Sequence, residues 1–121
     1  MVKPVKPSQI RAAGTKEKNI EEFFGRVNTS QSQLSIARMQ SPQGWEEPGQ
    51  TPEFDEYTVV LHGILEVRIR DQVISVHAGE AIHIPANTRM QYATPHAGGA
   101  EYIAVCVPAF SPETVHREPS P

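Results

Sequence analysis

Apolar and polar residues alternate along much of this chain. After Gly63, Leu65, Val67 and Ile69 alternate with Glu66, Arg68 and Arg70. On a strand that spacing puts the apolar set on one face. Residues 57–61 are β-branched and aromatic, and residues 34–39 alternate weakly. Residues 73–76, 81–84, 90–94 and 102–107 complete the predicted strands. Residues 20–24 predict one helical turn or a short strand before Gly25. The spacers are Pro-Gln-Gly (42–44), Gly-Gln-Thr-Pro (49–52), Arg-Asp-Gln (70–72), Ala-Gly-Glu (78–80), Pro-Ala-Asn (85–87) and Ala-Gly-Gly (97–99). Such clusters make turns. Many short strands between turns indicate an all-β sandwich or barrel.

One segment departs from the half-buried pattern. Over residues 57–62 the odd positions are Tyr57, Val59 and Leu61, and the even positions are Thr58, Val60 and His62. Both faces are largely apolar, so neither suits water. One face is expected to cover a barrel interior. The other needs the N-terminal segment or a second subunit, and a homodimer is the expectation.

The 121 residues fit one domain. With 11 Pro and 8 Gly, long helices are not expected. The expected organisation is a flexible leader over 1–16, a single domain over 17–110 and an extended tail over 111–121. One cysteine, Cys106, excludes an internal disulfide and a Cys-rich zinc site. No apolar run approaches a membrane span. The N-terminus lacks the apolar stretch of a signal peptide. The cytoplasm is the expected compartment. The net charge is −3, yet Lys3, Lys6, Lys16 and Lys18 all lie in the first 18 residues. That start reads as a solvated tail. It lacks aromatic interleaving, so no nucleic-acid partner is expected. Five carboxylates (Glu46, Glu47, Glu53, Asp55, Glu56) crowd one short run, broken by Pro48 and Pro52.

The spacing then becomes recognisable. Gly44 is followed at set intervals by Gln50, Pro52, Glu56 and Gly63, and Gly79 by Pro85, Asn87, Met90 and Thr94. The two runs, 15 residues apart, resemble the paired motifs of the cupin superfamily over about residues 34–107. The resemblance implies a small jelly-roll or double-stranded β-helix barrel, with an irregular N-terminal segment and an internal pocket. In the family two His and a Glu of the first motif and a His of the second bind a divalent metal. The matching positions here are Gln50, Pro52, Glu56 and Met90. Pro52 has no donor atom, and the Met90 thioether is soft. No metal cofactor is therefore expected. Phe54-Asp55-Glu56 and Ile82-His83-Ile84-Pro85 look similar to the ethanolamine-utilisation Q branch, which also lacks the histidines.

Glu56 is the sharpest chemical candidate. Facing a mostly apolar interior, it should hold its proton more tightly than usual and can act as acid or base. Gln50, Thr58, Met90 and Tyr92 are the expected ligand-binding neighbours, with Met90 filling the volume of the missing histidine. Tyr92 is a second catalytic candidate, and so is His83 if it faces inward. Glu56 and Tyr92 also read as satisfied buried residues. Trp45 is expected at the barrel mouth or an interface, and Arg68 on a solvated face. Three functions follow from these residues: a metal-free protein binding a small polar metabolite around Glu56; an isomerase, lyase or epimerase using Glu56; and, ranked last, a metal-dependent dioxygenase. Fold alone does not choose among them.

Overall fold

The computed structural model describes residues 2–119. The described strands are β1 (Ser8–Ile10), β2 (Asn19–Phe24), β3 (Ser35–Ser41), β4 (Trp45–Glu46), β5 (Asp55–Ile69), β6 (Gln72–His77), β7 (Ala81–Ile84), β8 (Gln91–Thr94) and β9 (Ala100–Val107). Among the described residues there is no helix, and so none long and apolar enough to cross a membrane. Every strand pairing is antiparallel, in the order β1-β2-β3-β9-β5-β8-β4, with β6 and β7 also on β5.

β5 is the hub. Its first half pairs with β7 and β9, and its second half with β6 and β8. One strand shared by two sheets folds them over a common interior, which gives the expected jelly-roll barrel. The sequence predicts one strand over residues 57–61 and another after Gly63, which the structure joins in β5. The chain instead bends there without losing its partners. Gly63 has φ +77°, and the register with β9 shifts between Val60 and His62. A Cβ on Gly63 would run into the Gly99 carbonyl oxygen, so this crossing requires glycine.

The two ends of the chain differ from expectation. The segment read as a leader supplies β1, with Ser8 opposite Glu22 and Ile10 opposite Ile20. Farther on, the Thr15 amide donates to the Glu46 carbonyl at 3.0 Å, and Trp45 Nε1 donates to the Ala13 carbonyl at 3.1 Å. Lysine and proline content hid a segment whose backbone groups have partners on the barrel. Met1 lies outside the described residues. Residues 112–115 of the tail form a turn rather than an extended run. Val115 is buried with Phe54 and Cys106, and the Glu118 amide donates to the Gly49 carbonyl at 2.8 Å. Residues 120–121 lie outside the described residues. Residues 20–24, left open between helix and strand, belong to strand β2.

The larger core cluster joins Trp45, Val60, Leu65, Val67, Met90, Tyr92 and Tyr102 with smaller neighbours. Tyr92 and Tyr102 meet edge to face, with ring centroids 6.0 Å apart. That geometry is worth about 0.5–1.5 kcal/mol beyond area burial. The Tyr92 hydroxyl meets that of Thr58, and the Tyr102 hydroxyl meets that of Ser41.

Candidate active site inside the barrel

A cavity opens among β2, β3, β9, the start of β5 and the run after β4. It holds about 80 Å³ in which the centre of a water-sized sphere fits. That is room for several waters or a small organic molecule. Ile20, Ala37, Met39 and Ala104 give it an apolar wall. Lys18, Glu47, Gln50, Glu56, Tyr92 and Tyr102 give it a polar one.

Strand parity places these groups. Glu56, Thr58 and Val60 are buried on one face of β5, as the alternation implied. Burial raises the Glu56 pKa, and the nearby Tyr92 and Thr58 hydroxyls and the Lys18 charge offset part of that rise. Tyr92 and Thr58 share a hydrogen bond of 2.8 Å between their hydroxyls. Burial also lifts the Tyr92 phenol well above its usual value, so it stays protonated. Gln50 is held by a reciprocal backbone pair with Met90, at 2.9 and 2.8 Å. Its side chain is buried, and its Oε1 has no hydrogen-bond partner among the described residues.

Gln50, Glu56 and Tyr92 therefore line the same cavity. Thr58 and Met90 are fully buried but do not line it: Thr58 steadies Tyr92, and Met90 belongs to the apolar core. His83 is a correction. It lies on the outer face of the sheet, its ring stacked on Tyr57 at 4.3 Å between centroids. The register explains why, since Ile84, not His83, is the partner of Glu56. His83 thus cannot form an acid–base pair with Glu56.

Two cavity-lining residues were missed. Glu47 follows β4 on the same side as Trp45, and its Oε2 accepts from the Tyr92 amide at 3.1 Å. Its burial pushes its pKa up. Lys18 was assigned to a solvated tail, yet its Nζ donates to the Tyr102 hydroxyl at 3.0 Å and lies 3.8 Å from the Trp45 ring centroid. Burial pulls its pKa down, against the raising effect of Glu47 and Glu56. The available signal was parity. Trp45 and Glu47 are two apart, and so are Lys18 and Ile20. The other members of the acidic run point away: Glu46 pairs with Arg68, Glu53 is exposed, and Asp55 Oδ1 accepts from the Ala86 amide at 2.7 Å.

The four positions where a divalent ion would be held do not suit one. Pro52 lacks a donor, the Met90 sulfur is packed in the apolar core, and only Glu56 brings a carboxyl oxygen. Among the described residues no group of three or more His, Cys, Asp or Glu converges anywhere else.

The profile of the cupin domain matches residues 38–106. The chain belongs to the cupin family. This cupin is 44% identical over 101 residues to a protein of Myxococcus xanthus named endoribonuclease YbeY, covering 84% of this chain and 34% of that protein. The chain thus spans about a third of the curated relative it matches. Among solved structures it resembles the EutQ protein of Clostridium difficile, at 25% identity and a TM-score of 0.63 over 76% of this chain and 63% of that one. The expected likeness to the ethanolamine-utilisation Q branch is therefore found. The polyketide cyclase RemF of Streptomyces resistomycificus superposes with a TM-score of 0.75 at 20% identity, over 96% of this chain and 85% of that one. At that identity the likeness concerns the fold.

Proposed function

We propose that this cupin binds a small molecule with a polar end inside the barrel, in a metal-free pocket centred on Glu56. One observation carries the reading. Glu56, Glu47, Tyr92 and the unpartnered Gln50 Oε1 converge on a cavity whose other wall is apolar. A buried acceptor without a donor costs about 1–3 kcal/mol, which a ligand O–H or N–H offsets. Amide NMR spectra taken with a panel of small hydroxy, keto and carboxy compounds test it. A binder should shift the amides of Gln50, Glu56 and Tyr92, and Ala104→Phe, which fills the cavity, should abolish the shift. Shifts that survive the filling, or none across the panel, reject the pocket. Metal analysis of the purified protein should find no stoichiometric transition metal.

The second reading is an acid–base enzyme: an isomerase, lyase or epimerase. It is favoured by two carboxyls with raised pKa values on one cavity. Such groups remain protonated closer to neutrality and can pass a proton to a bound carbonyl or hydroxyl. Turnover of a bound compound should stop in Glu56→Gln while binding persists. Unchanged turnover in that variant removes Glu56 from the chemistry.

A cytoplasmic homodimer is part of the proposal. Tyr57, Val59 and Leu61 are exposed, and Val59 and Tyr57 stand opposite Ile103 and Val105 on the same face. Arg38, opposite Ile103 on β3, is paired with Glu101 at 3.0 Å beside this strip, so a second copy applied about a twofold axis buries no unpaired charge there. The lone cysteine is buried and free, which suits a reducing compartment. Sedimentation should report a dimer that Val59→Lys converts to monomer. A wild-type monomer at high concentration rejects it.

A further inference from the structure

We propose that the Lys18 amine is a nucleophile that condenses with an aldehyde or ketone held in the barrel cavity, forming an imine. The proposal rests on the small-molecule reading of the cavity and adds the class of ligand, a carbonyl compound.

The chain has four lysines. Lys3, Lys6 and Lys16 are exposed, whereas Lys18 is half-buried and lines the cavity. Its Nζ is held by the Trp45 ring face and the Tyr102 hydroxyl, which is itself 3.0 Å from Ser41 Oγ. Among the described residues no carboxylate lies within salt-bridge distance of it. An ammonium fixed only for charge would be expected to pair directly with Glu47 or Glu56. Instead the amine is positioned by an aromatic face and a neutral hydroxyl, with both carboxyls on the same cavity. Burial brings its pKa to about 8. At neutral pH about one amine in ten is then uncharged, against fewer than one in a thousand for an ordinary lysine. Lysines desolvated in this way are suited to Schiff-base chemistry.

The step balances with groups on the page. The neutral Lys18 nitrogen attacks the carbonyl carbon. A C–N bond forms, the carbonyl π bond breaks, and one proton passes from the nitrogen to the oxygen, leaving a carbinolamine hydroxyl. The protonated Glu47 carboxyl, or Glu56, gives its proton to that hydroxyl, which departs as water. The nitrogen loses its proton to the carboxylate so formed, leaving the imine and the original acid. Tyr92 and Tyr102 face the same space with phenol pKa values raised by burial, so they remain hydrogen-bond donors. Arg117 lines the cavity as a fixed cation and lowers the Lys18 pKa further.

The test uses propanal with sodium cyanoborohydride, which reduces an imine to a stable secondary amine, followed by peptide mapping. The exposed lysines of the same chain are the internal control. At pH 7, Lys18 should be alkylated about tenfold faster or more than Lys3, Lys6 or Lys16. Its rate should level off above pH of about 8, while theirs keeps climbing. Ala104→Phe should slow labelling at Lys18 alone. Lys18 reacting no faster than the exposed lysines, or with their pH profile, overturns the imine. The alcohol 1-propanol separates the two levels of the argument. If it shifts the Gln50 and Glu56 amides while Lys18 stays unlabelled by propanal, the pocket stands and the nucleophile falls. If neither occurs, both fall.

Discussion

The first half of β5 turns Glu56, Thr58 and Val60 inward at 8%, 0% and 0% exposure, and Tyr57, Val59 and Leu61 outward at 42%, 43% and 41%. Hydropathy alone assigns these faces the other way round, since the inward set holds a carboxyl and a hydroxyl and the outward set is wholly apolar. Chain closure decides instead. The Gly63 bend and the pairing with β9 commit the even positions to the interior, whatever their polarity. A polar group forced inside must then be satisfied or used, and an apolar face left outside must be covered. On the proposed function the two faces divide the work, with ligand chemistry within and contact with a second copy without.

The sharpest way to break this contrast is to place the same charge on each side. Val60→Lys puts an ammonium into the packed interior and should cost about 4 kcal/mol or more in a urea titration, enough to leave little folded protein. Val59→Lys, one residue away, should cost less than about 1 kcal/mol in the monomer. Equal losses would mean that the outer face is as buried as the inner one.

Most of the fold was legible because strand alternation survives at single-residue resolution. Residues 81–84 were placed without error, and the set at 65, 67 and 69 faces as expected. The strands on either side of Gly63 were separated because a glycine needed for close backbone approach looks in sequence like a break. The site was half legible. Glu56, Gln50 and Tyr92 carry their position in motif spacing. Lys18 does not, because its burial depends on a long-range contact with Trp45 and Tyr102, while its local surroundings are those of a charged tail. Glu47 was hidden by Pro48 and Gly49, which interrupt the alternation just beyond it. His83 could not be assigned a face until the register with β5 was known.

The interior should also govern how stability varies with pH. Glu47 binds its proton up to about 8 in the folded protein, against 4.5 as an ordinary side chain. Between those values the folded state holds more protons than the unfolded chain, so stability falls as pH rises. Glu56, also raised, adds to the fall. Lys18 acts oppositely. Lowered from 10.5 to about 8, it makes the folded state hold fewer protons over that interval, and stability recovers. The melting temperature should drop by at least about 4 °C from pH 5 to 8 relative to Glu47→Gln, in which the fall is shallower. Parallel curves for the two proteins would show that Glu47 titrates as if it were on the outer face.

A smaller effect should come from the hydroxyl pair beneath the cavity. Thr58→Val keeps the shape but leaves the Tyr92 hydroxyl without its 2.8 Å partner. The loss should be about 1–2 kcal/mol by denaturant unfolding, with the barrel otherwise intact. The same variant should raise the Glu56 pKa further, because the Thr58 hydroxyl offsets part of the burial effect there. Carboxyl carbon NMR titration reads that shift, and no change in it would remove Thr58 from the polar cluster.

The smallest effect belongs to the outer face. His83 and Tyr57 stack with ring planes 5° apart, both partly open to water. An exposed ring pair contributes at the low end of the aromatic range, about 0.5 kcal/mol. His83→Ala should therefore lower stability by no more than about that amount. The outcome that matters is what it leaves alone. Since the ring lies on the far side of β5 from the cavity, the Glu56 titration and the propanal labelling of Lys18 should match wild type, whereas dimer affinity should weaken because Tyr57 loses the ring that holds it in place. A change in the Glu56 titration would mean that the two faces of β5 are coupled through the sheet, and that interior proton chemistry responds to what binds outside.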